Sequence, residues 1–265
     1  MATLPNPLPT LASDPSGRTL GLRLPPGRLI DTTDAGTWHE PLLWCAQQPA
    51  SAGSWAALGG PAARAGLLPV LVEVSGTHGG PEEWELAPQL ASYPGDHDAE
   101  EVLAEHWEEC EPGDVTDGDS ADWPGLAPAP SLTVDPAVAA ARLADSFCDG
   151  SRPRFEEPRL ALVPARRSAD VPAAVGWCGP LDHDDDVARL CAVLRSWEDR
   201  FHIRVVALGF AVLTVSVAAP PVTLADAEAL AAEHYAFCPG NFADRTLREY
   251  AKDLVGERAW TFWWD

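Results

Sequence analysis

The chain has 265 residues, 46% hydrophobic and 22% charged, which supplies a core and excludes a wholly disordered polypeptide. Its net charge of −22 excludes a broad nucleic-acid interface, because phosphates would be repelled. No apolar run approaches the roughly 18 residues that a membrane-spanning helix needs, so no membrane association is expected. The six cysteines (Cys45, Cys110, Cys148, Cys178, Cys191 and Cys238) form no C-x-x-C pair and no regular framework. That usage predicts reduced thiols and, with no apolar leader segment, a cytoplasmic protein.

Residues 1–27 hold prolines at 5, 7, 9, 15, 25 and 26 and read as a flexible leader. Residues 28–110 read as an N-terminal α/β half. Its expected elements are a strand at 37–45, a helix at 51–65 that Pro61 should shorten or break, and a buried strand at 67–74. A loop at 75–97 and a helix at 98–110 complete it. Residues 111–134 read as an acidic linker, and 135–265 as a C-terminal α/β domain. That domain opens on a helix at 136–147, with Asp135 as N-cap and Pro136 in its first turn. A strand at 160–163, a short helix at 169–175 and a strong helix at 184–201 follow, the last with three acids at its start. Strands at 203–208 and 212–217 turn at Gly209-Phe210. Thr223 begins a helix that ends at Cys238-Pro239-Gly240, and a helix at 246–254 precedes a final strand at 259–265. That strand is aromatic on both faces and is therefore expected inside the sheet. The implied fold class is α/β or α+β, a mixed sheet with helices packed on it.

Charge is placed unevenly. Between Arg64 and Arg142 there are seventeen Asp and Glu and no Lys or Arg, so this stretch carries −17 and leaves −5 for the remainder. A basic protein partner suits such a face, and a solvated connector is the plainer reading.

Two helices share a pattern. Asp98-Ala99-Glu100 to Cys110 aligns without a gap on Asp226-Ala227-Glu228 to Cys238, and each segment lies downstream of a Trp-Cys pair, a helix and an apolar strand. The repetition suggests two related halves. On each helix His and Cys sit four residues apart on one apolar face, so His106, Cys110, His234 and Cys238 are the candidate ligands of a tetrahedral zinc. The competing reading makes both histidines core residues, because the short-spaced ligand pairs of zinc sites are absent. Glu198 projects into the apolar stripe of helix 184–201 and needs a close donor: His234, an arginine such as Arg204, or a tryptophan indole N–H near the C-terminus. Glu198, His234 and Cys238 are the candidate catalytic groups. No Walker loop, dinucleotide fingerprint, G-x-S-x-G or H-E-x-x-H occurs, so no cofactor is expected.

The blocks Gly176-Trp177-Cys178-Gly179, Trp197-Glu198-Asp199-Arg200-Phe201, Glu233-His234 to Cys238 and Trp260 to Asp265 resemble the bacterial domain of unknown function 4253 family. The resemblance covers 159–265 and, more loosely, 28–74. It implies a fold and no activity. His202 stands where that family often has glycine, and Ala211-Val212 where it often has Asp-Thr. Trp177, Trp197, Arg200, Trp263 and Trp264 are the candidate binding residues within these blocks. The expected function is a non-catalytic, immunity-like or regulatory factor that holds a basic protein on its acidic middle. The alternative is an enzyme or metal-binding protein built round Glu198, His234 and the final strand.

Overall fold

A computed structural model describes residues 5–110, 115–116, 122–149, 155–243 and 245–264. In chain order its elements are α1 (Thr10–Ser13), β1 (Gly27–Ile30), β2 (Thr32–Thr33), β3 (Gly36–Thr37), β4 (Leu43–Pro49), α2 (Ser54–Arg64), β5 (Leu68–Glu73) and α3 (Ala99–Glu109). There follow α4 (Pro136–Cys148), β6 (Pro158–Val163), α5 (Val171–Val175), α6 (Val187–Phe201), β7 (Ile203–Leu208), β8 (Val212–Val217), α7 (Leu224–Phe237), α8 (Leu247–Leu254) and β9 (Ala259–Trp263). Seven strands form one mixed sheet in the order β1-β4-β6-β5-β7-β8-β9, in which only the β5–β7 pair is parallel. The protein is thus α/β, with helices on both faces of the sheet.

Alternation along the strands sorts side chains between two cores. Leu43, Val70, Val163, Val205, Val215 and Phe262 face α3, α6, α7 and α8. Trp44, Leu71, Leu160 and Leu162 face α1, α2 and α4. In β7 the register shifts between Val205 and Ala207, so Val206 and Ala207 both join the second core before Leu208 returns to the first.

The helix starts follow local chemistry. Asp98 caps α3, Asp135 caps α4 ahead of Pro136, and Thr246 with Glu249 forms a capping box at α8. Asp186 caps α6, so of the three acids expected there to complement the helix dipole only one does so as N-cap. Pro61 does not break α2, whose Trp55, Leu58 and Ala62 are buried on either side of it. Packing of that face outweighs the lost hydrogen bond.

Several expectations are corrected. Described residues of the expected leader are packed: Leu8, Leu11 and Leu22 are buried in the second core, because these leucines find apolar partners in Trp44 and Trp55. Strand pairing begins at Gly27, and the strand expected at 37–45 lies at Leu43–Pro49. Of the acidic linker, 111–114 and 117–121 lie outside the described residues. Its described part is anchored, with Ala127 buried and the Val115 carbonyl accepting from Leu247 N. A helix, a strand and a later helix follow each Trp-Cys pair in chain order (α2, β5, α3 and α6, β7, α7), but β8 intervenes in the second set and the surroundings differ. Trp44-Cys45 lies in β4 whereas Trp177-Cys178 follows α5 outside any regular element, and in the sheet β6 inserts between β4 and β5.

The final strand is an edge rather than an inner strand. Its aromatic Trp260 and Phe262 face the first core, while Trp263 is 37% exposed. Asn241 closes that edge: its Nδ2 donates to the Thr261 carbonyl at 2.7 Å and its Oδ1 accepts from Trp263 N at 3.2 Å. Helix α6 ends on His202, which takes the left-handed conformation at φ 52°. The glycine implied there by the family resemblance would hold it without a steric penalty. His202→Gly should therefore raise unfolding stability by about 1 kcal/mol, measured by urea denaturation; a loss of stability would show that the imidazole contributes more than the strain costs.

Candidate functional site

Helix α7 is buried around nearly its whole circumference, so its one inward acid must be paired. That acid is Glu233, fully buried, which the sequence reading did not select. Its Oε1 accepts from Arg200 at 2.8 Å and from Ala127 N at 2.6 Å; its Oε2 accepts from Trp197 Nε1 at 2.7 Å and from the second Arg200 nitrogen. Arg200 also donates to the Ala127 carbonyl at 2.8 Å. Trp197 and Arg200, expected as binding residues, are thus spent on this clamp. A helix wheel could not find Glu233, because a helix buried on every side has no polar face to contrast with it.

His234, next in sequence, sits in an aromatic box with ring centroids 5.0 Å from Trp197, 4.6 Å from Trp260 and 4.9 Å from Phe262. Its Nδ1 lies 3.2 Å from Tyr250 Oη. Burial, with Arg200 nearby, pushes its pKa down to about 3, so the ring is neutral and shielded. The sequence-expected partner, Glu198, is elsewhere. Its Oε1 accepts from Arg204 at 3.0 Å, and its Oε2 accepts from Ala169 N at 3.1 Å and Arg167 at 3.4 Å. Arginine partners make Glu198 a structural anchor rather than half of an acid–base pair. Cys238 donates to the Trp263 carbonyl at 3.0 Å, and burial pushes its thiol up to about 12, far from a reactive thiolate.

The four expected zinc ligands go separate ways. His106 Nε2 lies 2.9 Å from Asp184 Oδ2, which Arg189 also holds at 2.8 Å. His234 turns to Tyr250, Cys238 to a backbone carbonyl, and the Cys110 carbonyl accepts from Tyr235 Oη. Among the described residues, no three His, Cys, Asp or Glu side chains are grouped to hold a metal ion. Trp177 is buried and donates to the Gly209 and Phe210 carbonyls at 2.9 Å, pinning the β7–β8 turn. Trp264 packs edge-on against it at 5.6 Å. Of the five candidate binding residues, Trp263 alone presents its ring to solvent.

Three features lie outside the candidate catalytic, metal and binding residues. A cleft of about 930 Å³ is lined by Tyr93, Arg166, Arg167, Asp170 and Arg195. At its rim Ser92 Oγ lies 2.6 Å from His97 Nε2, and Asp186 Oδ2 lies 3.7 Å from the same nitrogen. A relay for a hydroxyl nucleophile needs the carboxylate on the other ring nitrogen, so this trio lacks the geometry of a catalytic triad. The third feature, within the acidic stretch singled out from the sequence, is the outward face of α3, where Glu100, Glu101, Glu105, Glu108 and Glu109 are exposed and, among the described residues, only Glu105 meets a cation, Arg189 at 2.8 Å.

Two stability measurements test these assignments. Arg200→Ala leaves Glu233 buried without its ion and should cost about 3–5 kcal/mol, whereas Glu198→Ala should cost only about 1–2 kcal/mol because water reaches its arginines. Urea denaturation ranks the two, and the reverse order would overturn the assignment of the central clamp. For His234 the folded pKa is depressed, so the unfolded chain takes up a proton that the folded chain refuses. Stability should then fall as pH drops from about 6.5 towards 3, by up to about 1.4 kcal/mol per pH unit from this group. The stability gap between wild type and His234→Leu should accordingly narrow on acidification; a constant gap would show that the ring is not shielded.

Residues 159–265 match the family model described as Domain of unknown function (DUF4253). No curated protein and no solved structure matches the chain. The matched segment holds β7, β8, β9, α5 to α8 and nearly all of β6, and with them Trp197, Arg200, Glu233 and the aromatic box around His234. Strands β1, β4 and β5 complete its sheet from outside that segment. Residues 159–265, less than half of the chain, are therefore where it matches the DUF4253 family.

Proposed function

We propose that the protein acts by binding rather than by catalysis, as a regulatory or immunity-like factor that holds a basic protein surface against the outward face of α3. The observation that carries this reading is the α3 face itself: five exposed glutamates with one cationic neighbour among the described residues. Val102, Leu103 and Trp107 fix the opposite face of the helix in the core, so the carboxylates are displayed from a rigid support. Such a surface accelerates encounter with a cationic partner and selects against anionic ones. The internal bonds of Glu198, Glu233 and Cys238 and the complete burial of Glu233 and His234 support the same reading, since a substrate would have to displace the core to reach them.

A fluorescein-labelled nona-arginine peptide, followed by anisotropy at moderate ionic strength, tests the proposal. Glu101→Gln, Glu108→Gln and Glu109→Gln together should weaken binding by about tenfold or more, while the same charge change at Glu40, Glu156 and Glu257 should weaken it by less than about twofold. Equal weakening by both triples, or no saturable binding by the wild type, would sink the reading.

A further inference from the structure

The last two strands leave part of one sheet face uncovered. On the first face, β8 and β9 are covered by α6, α7 and α8, which bury Leu213, Val215, Trp260 and Phe262. On the opposite face α4 reaches across β7 to β8, and beyond its C-terminal end a cavity of about 590 Å³ opens over Thr214, Thr261 and Trp263. Phe147 and Phe155 wall it on this face, and Tyr250 and Arg245 reach it from the first face round the β9 edge. This volume is in the range of small-molecule sites, in which aromatic walls carry a few convergent polar groups.

We propose that this cavity binds a planar aromatic carboxylate. The walls fit a flat ring: Phe147 and Phe155 meet edge to face at 4.8 Å, and Trp263 is 37% exposed at the rim. The floor supplies a donor. Thr214 Oγ1 and Thr261 Oγ1 lie 3.0 Å apart and bond to each other, so one hydroxyl donates and the other keeps its O–H for a ligand acceptor. Charge sets the sign of the ligand. Arg245 is the only charged lining residue among those described, in a protein of net charge −22. Its partner Asp253 is 73% exposed at the side chain, and an ion pair so open to water yields readily to a competing carboxylate. The Arg245 guanidinium is already stacked 4.9 Å over the Tyr250 ring, which orients its edge. No residue of α3 lines the site, so it stands or falls separately from the acidic face.

Isothermal titration of the full chain with indole-3-carboxylate, indole-3-carboxamide and cyclohexanecarboxylate tests the proposal. The aromatic acid should bind saturably with one-to-one stoichiometry, and the neutral amide and the non-aromatic acid should each bind at least about fivefold more weakly. Trp263→Ala should weaken binding of the acid about tenfold with little change in melting temperature, and Phe155→Leu should give a second loss from the opposite wall. Arg245→Gln should abolish the preference for the acid over the amide. Absence of saturable binding, undiminished binding in Trp263→Ala, or equal affinity for acid and amide would each overturn the assignment.

Discussion

The buried carboxylate of Glu233 is the constraint around which the C-terminal part is arranged. A charge with no access to water is tolerated only when every lone pair is occupied, and here four donors do so. Those donors come from α6 and from the segment at Ala127. Two helices and a stretch of irregular chain are thereby fixed with respect to one another by a single side chain. The dependence runs both ways, because Arg200 is held in place by the carboxylate and by the Ala127 carbonyl together.

Beside this clamp, Trp197, Trp260, Phe262 and Tyr250 enclose His234 and remove its capacity to titrate near neutral pH. The family resemblance rests on these same positions. What recurs in such motifs is explained here by packing and buried hydrogen bonding, without appeal to a shared reaction. Departure at His202 fits that view, since the position is defined by backbone conformation rather than by side-chain chemistry.

Much of the architecture could be read from residue order alone, because caps and periodicity are local. Asp98, Asp135, Thr223 and Thr246 announce their helices, and β7 and β8 stand at the expected ranges. Strand order is different in kind. Nothing in the stretch around Leu160 reveals that it slots between β4 and β5, since that depends on pairing with strands roughly a hundred residues earlier. The leucines of the first thirty residues look unremarkable among their prolines until Trp44 and Trp55 supply partners. For the site, Glu198 was visible from its helical position and Arg204 as one of its possible donors, but Arg167 and Ala169 were not, since they lie across a tertiary contact. The aromatic cavity was legible only as a tryptophan-rich ending; that Trp263 is partly exposed follows from its place on the edge strand.

The side chain of Asn241 has a consequence for how the molecule meets others of its kind. A sheet whose last strand offers free amides and carbonyls is a template, on which a second chain can add a strand and a third can follow. Here one short amide takes the place an eighth strand would fill, offering its donor to Thr261 and its acceptor to Trp263. The growing end is sealed at the two residues nearest the exposed indole, where an extended apolar segment would otherwise dock most readily. The site proposed at this margin uses rings and hydroxyls, which distinguish one ligand from another, rather than the main chain, which would accept almost any sequence.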